Sequence, residues 1–194
     1  GGFFHLLMKC TNVYPMSPPK VRFMTTDGGR VTFSPHISAG GHICLSLLGT
    51  MAGPPWTPAL NMTTVAVSIQ SMLDDNIDCV DSALEHVITG YWGSYCWNKI
   101  RYDTLRVAVC GTIESCLEHS CPFPAALRDQ LLAKFAEDYE SNEAAAKEEL
   151  AENQGGILAW FGAENKYQTL LTRLQKLKER VDERNGANNG AATS

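Results

Sequence analysis

The order of hydrophobic and polar residues predicts strands near the start of the chain. GGFFHLLMKC and VRFMTT are rich in strand-forming residues, and the proline-rich break TNVYPMSPPK separates them. GGRVTF predicts a turn that leads into a third strand. From Ser34 to Thr57, glycine and proline interrupt any regular period, so we expect an irregular segment on the surface.

The pattern after this segment is helical. NMTTVAVSIQSMLDD predicts a short helix that Thr63 or Thr64 can cap. Longer helices are predicted from Tyr95 to Glu118, from Ala125 to about Leu150, and from about Glu164 to Glu183. Strands followed by helices indicate the α+β class.

Two predicted helices have apolar stripes that define their expected buried faces. The first of them carries Leu127, Leu131, Phe135 and Tyr139. The second carries Tyr167, Leu170, Leu174, Leu177 and Val181. We expect this last helix to dock on its own domain, and we expect the GANNGAATS tail, residues 185–194 with the preceding asparagine, to be disordered.

Charge and composition exclude some classes of function. The net charge of −5 argues against a surface for nucleic acid or an anionic membrane. No apolar run is long enough to span a bilayer. The apolar start lacks basic residues and a methionine, which favours the cut end of a longer chain over a signal peptide.

The seven cysteines form no even framework, so reduced intracellular thiols are expected. Cys116, His119 and Cys121 lie close in sequence, but their spacing fits no standard zinc pattern, and we predict no metal site. Cys44 differs from the other cysteines because it lies in the glycine-flanked loop GGHICLSLLGT. It is either a buried structural thiol or a nucleophile to which Gly40 and Gly41 leave access.

Four landmarks around Cys44 occur in a fixed order. They are YPMSPPKVRF, the triplet SPH at 34–36, GGHICL, and WTPAL at 56–60 before a short helix. In this the chain resembles the ubiquitin-conjugating enzymes. Within the family it is most similar to the Z subtype, which has extra residues between cysteine and tryptophan, like SLLGTMAGPPW here.

The resemblance implies a UBC-like fold, in which an antiparallel meander packs against helices. It implies a conjugating core over residues 1–119 and a helical extension over 120–184, with the family's first helix and first strand missing. Because that helix binds the activating enzyme in the family, we expect the chain as given to accept a modifier poorly.

The implied activity is transfer of ubiquitin or a ubiquitin-like modifier as a thioester on Cys44 to a substrate lysine or a ligase. The implied partners are the modifier, the ubiquitin-activating enzyme, a ubiquitin ligase and protein substrates, in the cytoplasm and nucleus. No metal and no bound cofactor are implied, because the activating enzyme consumes the ATP. An alternative is a non-catalytic binding module of the same fold, or an inactive fragment; the presence of Cys44 favours the enzyme.

The resemblance also implies roles for other residues. His36 replaces the family asparagine that is thought to stabilise the oxyanion, and it either donates a hydrogen bond in its place or only braces the loop. Asp81, favoured over Asp78, aligns with a carboxylate that assists the incoming lysine. The ligase-facing patch is expected at two loops, with Pro18 and Pro19 in one and Trp56 and Pro58 in the other.

Overall fold

The structure, a computed structural model, describes residues 1–73, 98–118, 121–153 and 163–191. The chain forms two compact units, Phe4–Asp103 and Gly1–Phe3 with Thr104–Ser194. A small antiparallel sheet and helices together confirm the α+β class. No helix among the described residues has the length and apolar character needed to cross a bilayer. The predicted boundary between the core and the extension, at 119/120, stays a prediction.

Two of the predicted strands form a hairpin in the first unit. β1 (Leu6–Lys9) pairs antiparallel with β2 (Lys20–Phe23), with Leu6 opposite Phe23. The prolines of the connecting segment explain why both strands stop there, since proline has no N–H for a ladder.

The third predicted strand is wrong. Val31 and Phe33 are buried, as their alternation suggested, but residues 24–33 are irregular, with a turn at 27–30. The amides of Arg30 and Val31 donate to the Thr26 carbonyl, and Asp27 has a positive φ of 49°. Alternating burial therefore arises here from side-chain packing without a strand ladder, and the described part of the sheet has two strands.

An aromatic cluster forms the centre of this unit. The ring centroids of Phe4, Phe23 and Phe33 lie 5.1–5.9 Å apart, within the range of favourable ring contacts. The predicted short helix is α1 (Met62–Ser71), and it buries Val65 and Ile69, which lie about one helical turn apart.

The capping residue of α1 is Asn61 and not Thr63 or Thr64. The Oδ1 atom of Asn61 accepts from the Thr64 amide at 3.0 Å. An asparagine just before the first turn can reach the third helical amide, whereas the threonines already lie inside the helix.

The long helix predicted from Tyr95 to Glu118 is helical over residues 98–117 of its described part. It contains a π-helix at Thr104–Gly111, which the sequence did not predict, and then α2 (Thr112–Leu117). Residues 95–97 lie outside the described residues.

Helices α3 (Ala125–Asn153) and α4 (Ala163–Ala191) pack against each other. The Tyr167 hydroxyl donates to Glu149 at 3.4 Å, and at the other end of the pair an Arg184 nitrogen lies 3.0 Å from Asp129. These contacts join the end of one helix to the start of the other, so the helices are antiparallel. α4 therefore docks within its own unit.

The buried faces of both helices follow alternating steps of three and four residues, as in a coiled coil. The predicted stripe of α4 is confirmed, since all five of its residues are buried. In α3 the predicted stripe is partly wrong, because Leu127 is 44% exposed and Leu131 is half-buried. The predicted stripe advances by four residues at each step, and because a helical turn has 3.6 residues such a stripe drifts around the helix. The seam, the row of residues that faces α4, runs instead through Leu132, Phe135, Tyr139, Asn142, Ala146 and Glu149.

α4 continues to Ala191, past the predicted end at Glu183 and into the segment that we expected to be disordered. Polar composition alone predicted disorder here. Once a helix is docked, however, each further residue that joins it only has to be ordered itself, because the helix is already nucleated. Residues 192–194 lie outside the described residues.

An ion pair in the second unit joins α2 to α4 around the π-helix. The Arg173 guanidinium contacts both carboxylate oxygens of Glu114, with Nε–Oε1 at 2.6 Å, and its Nη1 donates to the Arg106 carbonyl at 3.0 Å. A planar guanidinium matches a carboxylate in this bidentate geometry. Arg173 thus binds α2 and the π-helix at once.

We predict that Arg173→Met lowers the free energy of unfolding by about 1–3 kcal/mol, because a charge-assisted pair and a carbonyl contact are both lost. Urea unfolding followed by circular dichroism measures the change. Arg180→Met is the matched control, since Arg180 is exposed on the same helix. Equal stability of the two variants would contradict the role given to Arg173.

Candidate functional site

Cys44 lies in a short antiparallel ladder formed by the loop that precedes it. Ile37 and Ile43 form an isolated bridge. On either side of this bridge, the Cys44 amide donates to the His36 carbonyl at 2.8 Å, and the Ser38 amide donates to His42 at 2.9 Å. His36 is therefore the residue directly opposite Cys44.

The ladder separates a buried side from an open side. Ile37 and Ile43 are 1% and 2% exposed, so both point into the core. Their neighbours His36 and Cys44 are half-buried, as expected for positions that project from the other side of a ladder. Opposite residues share a face, so the imidazole and the thiol leave the ladder on the same side.

Gly41 fixes the loop to the hairpin. Its φ is +82°, and the Phe23 amide donates to its carbonyl at 3.0 Å. A Cβ atom on Gly41 would lie 2.2 Å from the Phe23 oxygen. Gly41 is therefore required because two backbone segments approach closely, and not, as we expected, for access to the sulfur. The neighbouring Gly40 is exposed.

The segment after Cys44 turns back toward it. A 3₁₀ turn at Ser46–Leu48 ends at Gly49, which is left-handed with φ 71°. The next residue, Thr50, accepts a hydrogen bond from the Leu45 amide at 2.9 Å and donates to the Ile43 carbonyl at 2.6 Å. No sequence pattern indicates Thr50, because a single threonine in a glycine-rich loop is common.

The two predicted ligase-facing loops meet at Trp56. Its indole N–H donates to the Pro15 carbonyl at 2.7 Å, and its ring lies 6.0 Å from the Tyr14 ring. Pro58 is exposed, but Pro19 is buried and Pro18 is half-buried. Pro19 therefore supports the loop from inside.

The proline loop also carries two exposed apolar residues, which the sequence pattern did not indicate. Val13 is 57% exposed and Met16 is 72% exposed. Large apolar side chains at the surface of a loop indicate a contact surface more strongly than buried prolines do.

Asp81, and with it Asp78, lies outside the described residues. The same holds for Cys79, Cys96 and His119. Within the described part of the chain, no cluster of histidine, cysteine and carboxylate side chains is suited to hold a metal ion.

The described cysteines differ in burial. Cys110 and Cys116 are fully buried, and burial raises the pKa of each thiol from 9.0 to about 12. Cys10 is exposed, while Cys44 and Cys121 are partly exposed. Because the thiolate is the reactive form, the two buried cysteines are poor nucleophiles.

Comparison with known proteins identifies similar sequences. The profile of the family "Ubiquitin-conjugating enzyme" matches residues 1–101. "Ubiquitin-conjugating enzyme E2 Z" of Xenopus tropicalis and of Homo sapiens are each 37% identical to the chain, over 187 and 188 residues. "Probable ubiquitin-conjugating enzyme protein 17" of Caenorhabditis elegans is 48% identical over 63 residues, 31% of this chain and 9% of that protein.

The E2 Z alignments cover 95% of this chain but 58% of the Xenopus protein and 52% of the human protein. The chain therefore spans a little over half the length of these relatives. The match of the family profile and the length of these alignments confirm the resemblance seen in the sequence, including its Z-subtype features.

The difference in thiol burial predicts the order of alkylation. At pH 9, iodoacetamide should modify Cys10 and Cys44 before Cys110 and Cys116, because a thiol of pKa about 12 is ionised in about one molecule in a thousand at that pH. Mass spectrometry of tryptic peptides from the native protein measures the order. Urea should make all of these thiols equally reactive, and early modification of Cys110 in the native protein would contradict the assigned burial.

Proposed function

Because the chain belongs to the ubiquitin-conjugating enzyme family, we propose that Cys44 carries ubiquitin or a ubiquitin-like modifier as a thioester. The observation that supports this most directly is the position of Cys44 on the open side of a fixed ladder. Its amide is bound to His36 at 2.8 Å while its side chain stays partly exposed. A carrier thiol requires a held backbone and a side chain that is not fully buried, and Cys44 has both.

The proposed reaction has two steps without redox change. The Cys44 thiolate attacks the thioester carbonyl of the modifier on the activating enzyme, and the activating-enzyme cysteine leaves as a thiolate. A lysine amine or a ligase cysteine then attacks the new thioester, and Cys44 is the leaving group. The proton of the attacking amine or thiol passes to a base or to solvent.

In the second step, the attack of the acceptor on the Cys44 thioester places negative charge on the carbonyl oxygen, and this charge needs a hydrogen-bond donor. The backbone amides of Cys44 and of the next residue, Leu45, already donate to the His36 carbonyl and the Thr50 hydroxyl. A side-chain donor is therefore favoured. We propose His36, because it lies opposite Cys44 and an imidazole N–H can donate.

Asp81 is part of the proposal through the family resemblance alone. A carboxylate there would hold the incoming lysine and favour loss of its proton. His42 is exposed and has no assigned role in the transfer.

The proposed partners follow from the family. They are the modifier, the activating enzyme, a ligase and protein substrates, in the cytoplasm and nucleus. The ligase surface is proposed at the two loops joined by Trp56, with exposed Pro58 and Met16 as contacts and the buried Pro19 as support. The core over 1–119 and the extension over 120–184 remain the proposed domains.

We predict that Cys44→Ala abolishes formation of a reductant-sensitive adduct with the modifier, since Cys44 is partly exposed and its backbone is held in the ladder. The measurement is a charging assay with activating enzyme, ATP and modifier, resolved on non-reducing gels. Cys10→Ala is the control, because Cys10 is exposed but lies outside the loop. Full charging of Cys44→Ala would overturn the assignment and place the thioester on another cysteine, whereas a wild-type protein that does not charge would favour the non-catalytic module.

We predict that His36→Ala leaves charging of Cys44 nearly intact and slows discharge to lysine by about 100- to 1000-fold, the usual cost of one oxyanion donor. His36→Asn should restore the slowed step, because an amide also donates. Single-turnover discharge of the isolated thioester to free lysine measures the rate. His42→Ala is the matched control, and discharge of His36→Ala at the wild-type rate would leave His36 as a brace of the loop.

A further inference from the structure

The hydroxyl of Thr50 holds both peptide units that flank Cys44. It donates to the carbonyl of Ile43 at 2.6 Å and accepts from the amide of Leu45 at 2.9 Å. A hydroxyl has one hydrogen to donate and lone pairs to accept, so both bonds form at the same time. The residues immediately before and after the cysteine are thus joined through one side chain.

A third bond completes the arrangement from the opposite side. The Cys44 amide donates to the His36 carbonyl at 2.8 Å. Without the Thr50 hydroxyl, the Leu45 carbonyl would still accept from the Leu48 and Thr50 amides, at 2.9 and 3.3 Å, but neither bond engages the two peptide units that flank Cys44. The hydroxyl is therefore the contact that sets the direction in which the chain leaves Cys44.

Gly49 is what brings the hydroxyl back to the cysteine. The 3₁₀ turn at Ser46–Leu48 reverses the chain, and the left-handed φ of 71° at Gly49 returns Thr50 to Leu45. An added Cβ atom at Gly49 would meet no atom within 4 Å, so a substitution there would strain only the backbone.

We propose that Thr50 is a positioning residue for Cys44, which aims the sulfur for thioester exchange through the Ile43 and Leu45 peptides. The catalytic part of this inference rests on the proposed function of Cys44. Thr50 also occupies the Leu45 amide and so keeps that N–H from the thioester oxygen. Thr50 would thus affect the reaction in two ways, through the orientation of the Cys44 sulfur and through the choice of hydrogen-bond donor for the thioester oxygen.

The test compares two variants that separate the hydroxyl from the methyl group. Thr50→Val keeps the shape and loses both hydrogen bonds, whereas Thr50→Ser keeps the hydroxyl. In the full-length protein, Thr50→Val should lower the kcat of charging about tenfold, the factor that corresponds to one typical net hydrogen bond, with KM for the activating enzyme unchanged. Thr50→Ser should stay within about twofold of wild type. The reverse order of the two variants would overturn the inference.

Hydrogen exchange at the Leu45 amide gives a readout that does not depend on the reaction. Exchange should be about tenfold faster in Thr50→Val than in wild type, and unchanged in Thr50→Ser. Equal exchange in all three proteins overturns the inference whether or not the protein charges. Faster exchange with a full charging rate in Thr50→Val overturns it as well.

Gly49→Ala is a second variant, which keeps the hydroxyl but strains the turn that carries it. It should change kcat and Leu45 exchange in the same direction as Thr50→Val, by a smaller factor. If the wild-type protein accepts no modifier from any activating enzyme, the proposed function fails and the catalytic part of this inference fails with it. The exchange data then decide separately whether Thr50 fixes the Cys44 backbone.

Discussion

The close approach of Gly41 to Phe23 is the contact on which the site depends. The Phe23 amide donates to the Gly41 carbonyl at 3.0 Å, at a distance that leaves no room for a side chain on residue 41. Phe23 is in turn held by β1 and by the Phe4 and Phe33 rings. The loop thus inherits its position from a hairpin and an aromatic cluster. A loop without regular secondary structure can hold a cysteine in one place because it is bound to a rigid element at its turn.

Features with a local period could be predicted from the sequence. The strands around Leu6–Lys9 and Lys20–Phe23, the helix at Met62–Ser71 and the seam of α4 each repeat an apolar position every two or every three to four residues. The alternation of Val31 and Phe33 has the same appearance but no ladder partner. Periodicity reports which side chains are buried, and it leaves open which backbone groups pair.

The remaining features depend on contacts between residues far apart in sequence or on a single hydroxyl. The π-helix carbonyl of Arg106 meets Arg173, 67 residues away, and no local pattern indicates that pair. Thr50 acts through one oxygen atom whose position follows from the left-handed turn at Gly49. The sequence alone indicates Cys44 as a candidate because its motif is local and has a fixed order, whereas the residues that contact its backbone have ordinary types in an irregular loop. The contact of Gly41 with Phe23 could not be predicted for the same reason. The sequence shows a glycine at position 41, but it does not show which distant residue lies against it.

The hydrogen bonds around Cys44 divide the tasks of the loop between backbone and side chain. Backbone groups of residues 36, 43, 44 and 45 form hydrogen bonds with one another or with Thr50. These bonds fix the backbone position from which the Cys44 side chain projects. The Cys44 and Leu45 amides are engaged in that task, so the proposed oxyanion donor is a side chain. A side chain at position 36 can change from an amide to an imidazole without disturbing the ladder, because its contact with Cys44 is made by its carbonyl. The loop can therefore keep its geometry whichever of these side chains stands at position 36.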